Sequence, residues 1–130
     1  MARILIIDDS AAIGESLAYF FESEGHSVVV ADNGAAGLRR AAEQPVDVVL
    51  LDVEMPGMSG FEVCRAMRDN PALCKLPVVM MTGRALRAST APARAAGARL
   101  VVAKPFDLDN LHKMLSSFFP APSVQMAGRR

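Results

Sequence analysis

Five polar side chains sit where apolar runs of this sequence end. Asp8 and Asp9 follow RILII, Asp52 follows VDVVLL, Thr82 follows PVVMM and Lys104 follows LVVA. If these runs are parallel strands, their C-terminal ends share one sheet edge, where open α/β sheets hold their sites. Three carboxylates, one hydroxyl and one ammonium then converge. Crowded carboxylates repel and raise one another's pKa values unless a cation sits among them. A hard divalent ion with oxygen ligands removes the repulsion, and Mg²⁺ suits a site with few carboxylates and several retained waters. The same set matches phosphoryl chemistry, with one carboxylate as nucleophile, metal and ammonium neutralising phosphoryl oxygens, and the hydroxyl donating a hydrogen bond. Each piece alone has a plainer use: an aspartate pair or a threonine caps a helix, and a lysine before proline is a solvated loop charge. Their arrival at successive strand ends is what those uses leave unexplained.

The elements that would position these residues are legible as a βα repeat. Five β-rich runs, at residues 3–7, 28–30, 46–51, 77–81 and 100–103, alternate with five helical stretches. Continuous apolar runs, rather than alternating ones, suit a parallel sheet covered on both faces. After Ser10, Ile13, Leu17, Phe20 and Phe21 share a helical face, and Gly25 offers a left-handed stop. Asp32-Asn33-Gly34 leads into a second helix that ends before Pro45. Ser59 and Glu62 form a capping box opening a third helix, with Phe61, Cys64 and Met67 inward and Asn70-Pro71 as the stop. A fourth helix is expected within 86–96, short or late-starting because Pro92 is tolerated only in a first turn. The fifth starts at Asp107 and aligns Leu108, Leu111, Leu115 and Phe118 before Pro120. The sequence thus predicts one domain over 1–119 and a flexible C-terminal tail over 120–130.

Composition narrows the function classes. A chain of 130 residues accommodates one domain with a real core. Hydrophobic residues make up 52%, yet no apolar run approaches the roughly 20 residues a bilayer span needs. The opening MARILIIDD has no secretory cleavage pattern, so the expected location is cytoplasmic. Fourteen basic and fourteen acidic residues cancel, which suggests neither nucleic acid nor membrane as a direct partner. Cys64 and Cys74 follow neither a metal-ligand spacing nor a disulfide framework and read as ordinary thiols.

Four segments, IIDDS, VVLLDVEMPGMSGFEVCRAMR, PVVMMTGRA and AKPF, together resemble the receiver domain of two-component response regulators, of the chemotaxis-type single-domain kind. The resemblance runs to about Phe118. It implies a flavodoxin-like, doubly wound α/β fold with five helices and a five-stranded parallel sheet in order 2-1-3-4-5. Carried over residue by residue, it makes Asp52 the phosphoacceptor for a sensor histidine kinase or a histidine phosphotransfer protein. Asp8, Asp9 and Asp52 would hold Mg²⁺ with the Glu54 backbone carbonyl, Asp9 directly and Asp8 partly through water. Thr82 and Lys104 would hold phosphoryl oxygens, and the Lys104-Pro105 bond would be cis. The expected output is a change in protein contacts through the face made by the fourth helix, fifth strand and fifth helix, by which receivers meet targets or form homodimers. Arg84, Arg87, Arg94 and Arg99 lie around that face. Self-catalysed phosphorylation and dephosphorylation are implied, without an outside substrate.

Three positions could modulate this scheme. Val101 stands where receivers usually carry an aromatic residue, and without a ring the response is expected to travel through the loops after Asp52 and Thr82. Glu54 and Arg84, two past Asp52 and two past Thr82, flank the path of attacking water and could pair across the phosphoryl group. Three other classes compete. A phosphorylation-independent pseudo-receiver is favoured by Val101. A magnesium-dependent phosphohydrolase of the haloacid dehalogenase type would need an aspartate where Glu54 stands. A flavodoxin-type flavin domain would need a phosphate-cradling loop where Asp8 and Asp9 would repel the phosphate.

Overall fold

The computed structural model describes residues 1–83 and 86–120, with Leu86 and Arg87 as backbone only. The strands are β1 (Arg3–Ile7), β2 (Ser27–Ala31), β3 (Val48–Asp52), β4 (Val78–Thr82) and β5 (Leu100–Ala103). The helices are α1 (Ala11–Ser23), α2 (Gly34–Glu43), α3 (Gly60–Asp69), α4 (Leu86–Ala96) and α5 (Leu108–Leu115), with a 3₁₀ turn at Ser116–Phe118. All pairings are parallel, in the order β2-β1-β3-β4-β5 implied by the resemblance.

Every residue of β3 and β4 is buried, because both sheet faces are covered. Along β1, Leu5 and Ile7 join Val63, Cys64, Met67, Ala93 and Ala96 beneath α2, α3 and α4. Ile4 and Ile6 point the other way, to Leu17 and Phe21 of α1 and Leu111 and Leu115 of α5. Each such Ile or Leu contributes about 1.5–3 kcal/mol by leaving water.

The Ser59–Glu62 capping box anticipated from sequence is formed, and Ser10 and Asn33 cap two further helices. The Ser10 and Asn33 side chains accept from Ile13 and Ala36 N–H, and Ser59 and Glu62 make the reciprocal capping box. In α3 the inward stripe is Val63, Cys64 and Met67; Phe61 is half-buried. One expectation fails. α4 is neither short nor late-starting, but runs through Pro92 from Leu86 to Ala96. Pro92 is exposed, and so is Ala88, whose carbonyl loses its helical partner and can be hydrated; Ala93 and Ala96 hold the opposite face in the core. Arg68 secures the far end of α4, donating from Nε and Nη2 to Gly97 O at 3.2 and 2.9 Å.

At the N-terminal edge of the sheet, His26 and His112 form a pair that sequence reasoning passed over. Ala2 N–H donates to His26 Nδ1 at 3.0 Å, and the two Nε2 atoms lie 2.9 Å apart. With Nδ1 accepting, neutral His26 carries its proton on Nε2 and donates to His112. Phe119 lies against His26, its ring centroid 4.6 Å away, and Phe21 stacks on His112. Burial, then His112 and the N-terminal ammonium, push the His26 pKa down against a smaller opposing pull from Glu24.

A histidine whose folded pKa lies below its unfolded value binds more protons when unfolded, so its contribution is present above pH 6.5 and lost on acidification. The fall in melting temperature between pH 7.5 and 5.5 is therefore expected to be smaller in His26→Phe than in wild type, by a few degrees. Parallel melting curves across that window would remove the pair as a source of acid sensitivity.

Candidate functional site

The chain leaves the sheet at the C-terminal ends of β1, β3, β4 and β5 through short loops. Asp8 N–H donates to Ala31 O at 3.1 Å, Val53 N–H to Met81 O at 2.9 Å and Lys104 N–H to Thr82 O at 2.7 Å, extending the ladder past the strands. Side chains at these positions are consequently held by backbone pairing. Gly60 brings α3 against the same edge: a Cβ there would meet Asp52 O at 2.3 Å, so only glycine permits the approach. The sequence signal for this was the glycine directly after the Ser59 cap.

Four of the five sequence-derived residues meet, and Thr82 ends β4 at the same sheet edge. Asp8, Asp52 and Thr82 are 1%, 3% and 0% exposed, whereas Asp9 faces solvent. Asp8, Asp9 and Asp52 each offer a carboxylate oxygen, all within 4.8 Å of one another. Lys104 Nζ donates to Asp8 Oδ2 at 3.0 Å and to Asp52 Oδ1 at 3.1 Å. Asp8 Oδ1 accepts from Ser10 N–H at 2.9 Å, which fixes its plane. Lys104-Pro105 is cis, as the resemblance implied.

Electrostatics follow from this crowding. Burial and then the Asp8 charge lift the Asp52 pKa to about 6, against the hydrogen bond and charge of Lys104. Burial opposes the charge on Lys104, but its hydrogen bonds to Asp8 and Asp52 outweigh that and raise its pKa. A single ammonium thus bridges two buried carboxylates while a third stands beside them. An all-oxygen, anionic donor set of this kind fits a hard divalent cation.

Glu54 lies alongside, its carboxylate turned to β4. Oε2 accepts from Thr82 Oγ1 at 2.8 Å and Oε1 from Gly83 N–H at 3.0 Å. Sequence reasoning singled out Glu54 but looked to Arg84 for its partner; Arg84 lies outside the described residues, as do the side chain of Arg87 and positions 121–130 of the expected tail. Ser89, buried on α4, donates to Thr82 Oγ1 at 3.2 Å and was not anticipated. Val101 is half-buried beside the core beneath α4, paired with Met80. Arg94 and Arg99 are exposed, with the Arg99 guanidinium 6.0 Å from the Phe118 ring centroid. Among the described residues no helix is long and apolar enough to cross a membrane.

Known proteins resemble this chain in sequence and fold. Protein PilH of Pseudomonas aeruginosa is 35% identical over 117 residues, covering 90% of this chain and 97% of PilH. The chain spans less than half the length of several other curated relatives, including transcriptional regulatory proteins. Chemotaxis protein CheY4 of Vibrio cholerae superposes with a TM-score of 0.86 at 31% identity, over 92% of this chain and 99% of that one. The response regulator TrrA of Thermotoga maritima, solved in complex with Mg²⁺-BeF, gives 0.80 at 31% identity, over 92% and 100%. The family model for the response regulator receiver domain matches residues 4–116. With the receiver model matching most of the chain and PilH alike over nearly its whole length, this chain belongs to the response regulator receiver domain family of two-component signalling.

Proposed function

We propose that Asp52 is the residue that accepts the phosphoryl group, from a histidine kinase or histidine phosphotransfer protein. The observation that carries this reading is Lys104 Nζ, bonded at once to Asp8 and Asp52 at the rim of three converging carboxylates. A lysine so held neutralises the acceptor and stands ready for an oxygen of the incoming phosphoryl group. An Asp52 carboxylate oxygen attacks phosphorus, the P–N bond of the phosphohistidine breaks, and the departing imidazole keeps the electron pair and takes a proton. Thr82 donates its hydroxyl to a phosphoryl oxygen, and Lys104 pairs with another.

Asp8, Asp9 and Asp52, with the Glu54 backbone carbonyl, would hold Mg²⁺. The ion, when bound, offsets charge on the phosphoryl oxygens and on the carboxylates themselves. The neighbour TrrA was solved with Mg²⁺-BeF, which supports this assignment. Hydrolysis of the acyl phosphate returns the site to its starting state, so no outside substrate is turned over. The output is an altered protein surface formed by α4, β5 and α5, carrying Arg94 and Arg99, to which a target protein or a second copy docks in the cytoplasm.

Incubation with Mg²⁺ and acetyl phosphate is expected to add a single phosphoryl group by intact mass, and neither Asp52→Asn nor a magnesium-free sample should gain it. A folded, Mg²⁺-binding protein that gains none would point to the pseudo-receiver instead.

The raised Asp52 pKa makes a second prediction. A carboxyl whose folded pKa is about 6 stabilises the fold only while protonated, and that contribution is lost as pH rises through 6. In chelator at pH 7.5, Asp52→Asn should be the more stable protein by roughly 1–3 kcal/mol, the size expected for relieving one buried like-charge contact. Adding Mg²⁺ should narrow the gap by stabilising wild type. Equal denaturation midpoints in chelator would mean that Lys104 already cancels the repulsion.

A further inference from the structure

One buried polar contact is left unused by this chemistry. Ser89 of α4 is 5% exposed, and its Oγ donates to Thr82 Oγ1 at 3.2 Å. Thr82 donates onward to Glu54 Oε2 at 2.8 Å, while Glu54 Oε1 accepts from Gly83 N–H at 3.0 Å. These bonds form a chain from the loop after β3, across the end of β4, into α4. A hydroxyl has one proton, so Thr82 cannot donate to Glu54 and to a phosphoryl oxygen at the same time.

On the reading of Asp52 as phosphoacceptor, we propose that Glu54 and Ser89 are positioning residues for Thr82. Glu54 holds the Thr82 hydroxyl in the unphosphorylated protein, the phosphoryl group takes it away, and Ser89 carries the displacement of the Thr82 oxygen into α4. Both acceptors are anionic, so the exchange replaces one charge-assisted hydrogen bond with another and its cost is small. Ser89 is buried and Thr82 Oγ1 is the partner of its hydroxyl among the described residues, so parting the two costs a buried hydrogen bond and α4 follows Thr82. Val101 and Ala103 of β5, paired with Met80 and Thr82, offer no ring or polar group to do this instead.

Glu54 could also slow phosphorylation by charge alone, and a double-mutant cycle separates the two. With acetyl phosphate, Mg²⁺ and intact mass as readout, Glu54→Ala is expected to speed labelling roughly 3- to 10-fold by freeing a strongly held hydroxyl. In a Thr82→Ala background that gain should shrink to within about twofold, since the residue through which it acts is gone. An equal gain in both backgrounds assigns the effect to charge and overturns the Glu54 role.

Ser89→Ala tests the other end. In this variant the amide chemical-shift changes that beryllofluoride and Mg²⁺ produce over residues 88–96 should largely vanish, while the change at Gly83 persists. Unchanged shifts of α4 in Ser89→Ala overturn the route through Ser89. Wild type that is labelled normally but shows an additive cycle sinks the relay alone; wild type that takes no label removes the phosphoacceptor reading and the relay together.

Discussion

Three carboxylates held at one sheet edge with a single bridging ammonium set the terms for the rest of the molecule. Asp8 and Asp52 are buried and 3.0 and 3.1 Å from Lys104 Nζ, while Asp9 stands beside them in solvent. Removing buried charges from water is costly, and one lysine cannot fully offset three anions. The edge is therefore built to be completed by positive charge or by a group that accepts it. The sheet provides the stiffness this demands: β1 pairs directly with β3, which is buried along its whole length, so Asp8 and Asp52 cannot relax apart to relieve the repulsion.

Much of that design was legible beforehand, for identifiable reasons. Apolar runs ending in Asp8, Asp52, Thr82 and Lys104 gave away both the strands and the edge, because a doubly covered parallel sheet leaves little room for polar residues except where strands finish. The Ser59–Glu62 box marked the start of α3 since its chemistry is local. The failures were non-local. Pro92 argued against a full α4, but the outcome depended on which face of the helix met water, and on Ala93 and Ala96 packing beneath it. His26 and His112 are 86 residues apart, and no local pattern pairs them. Glu54 drew attention by its place in the motif, whereas its hydrogen bonds to Thr82 and Gly83 depended on a loop path that spacing does not specify.

The two ends of the sheet are organised by different forces. At the C-terminal edge, three carboxylates and one ammonium set the polar contacts. At the N-terminal edge, Phe21, His26, His112 and Phe119 pack together, so α5 and the residues after it dock through rings and one neutral hydrogen bond. Separating the two lets the reactive edge carry unfavourable electrostatics without loosening the attachment of α5. Stability and reactivity are thereby lodged in different residues.

The packing of α4 gives this separation its mechanical meaning. Among the described residues its buried apolar side chains are Ala93 and Ala96, which offer few dispersion contacts compared with the Leu111 and Leu115 that hold α5. Arg68 pins the C-terminal end of α4 through the Gly97 carbonyl, leaving Ser89, two turns earlier, to meet the site. A helix fastened at one end and packed through small side chains can shift at the other. The Ser89–Thr82 hydrogen bond is one of the contacts that position it, and on the proposed exchange a change in the partner of Thr82 would reach α4 through that bond.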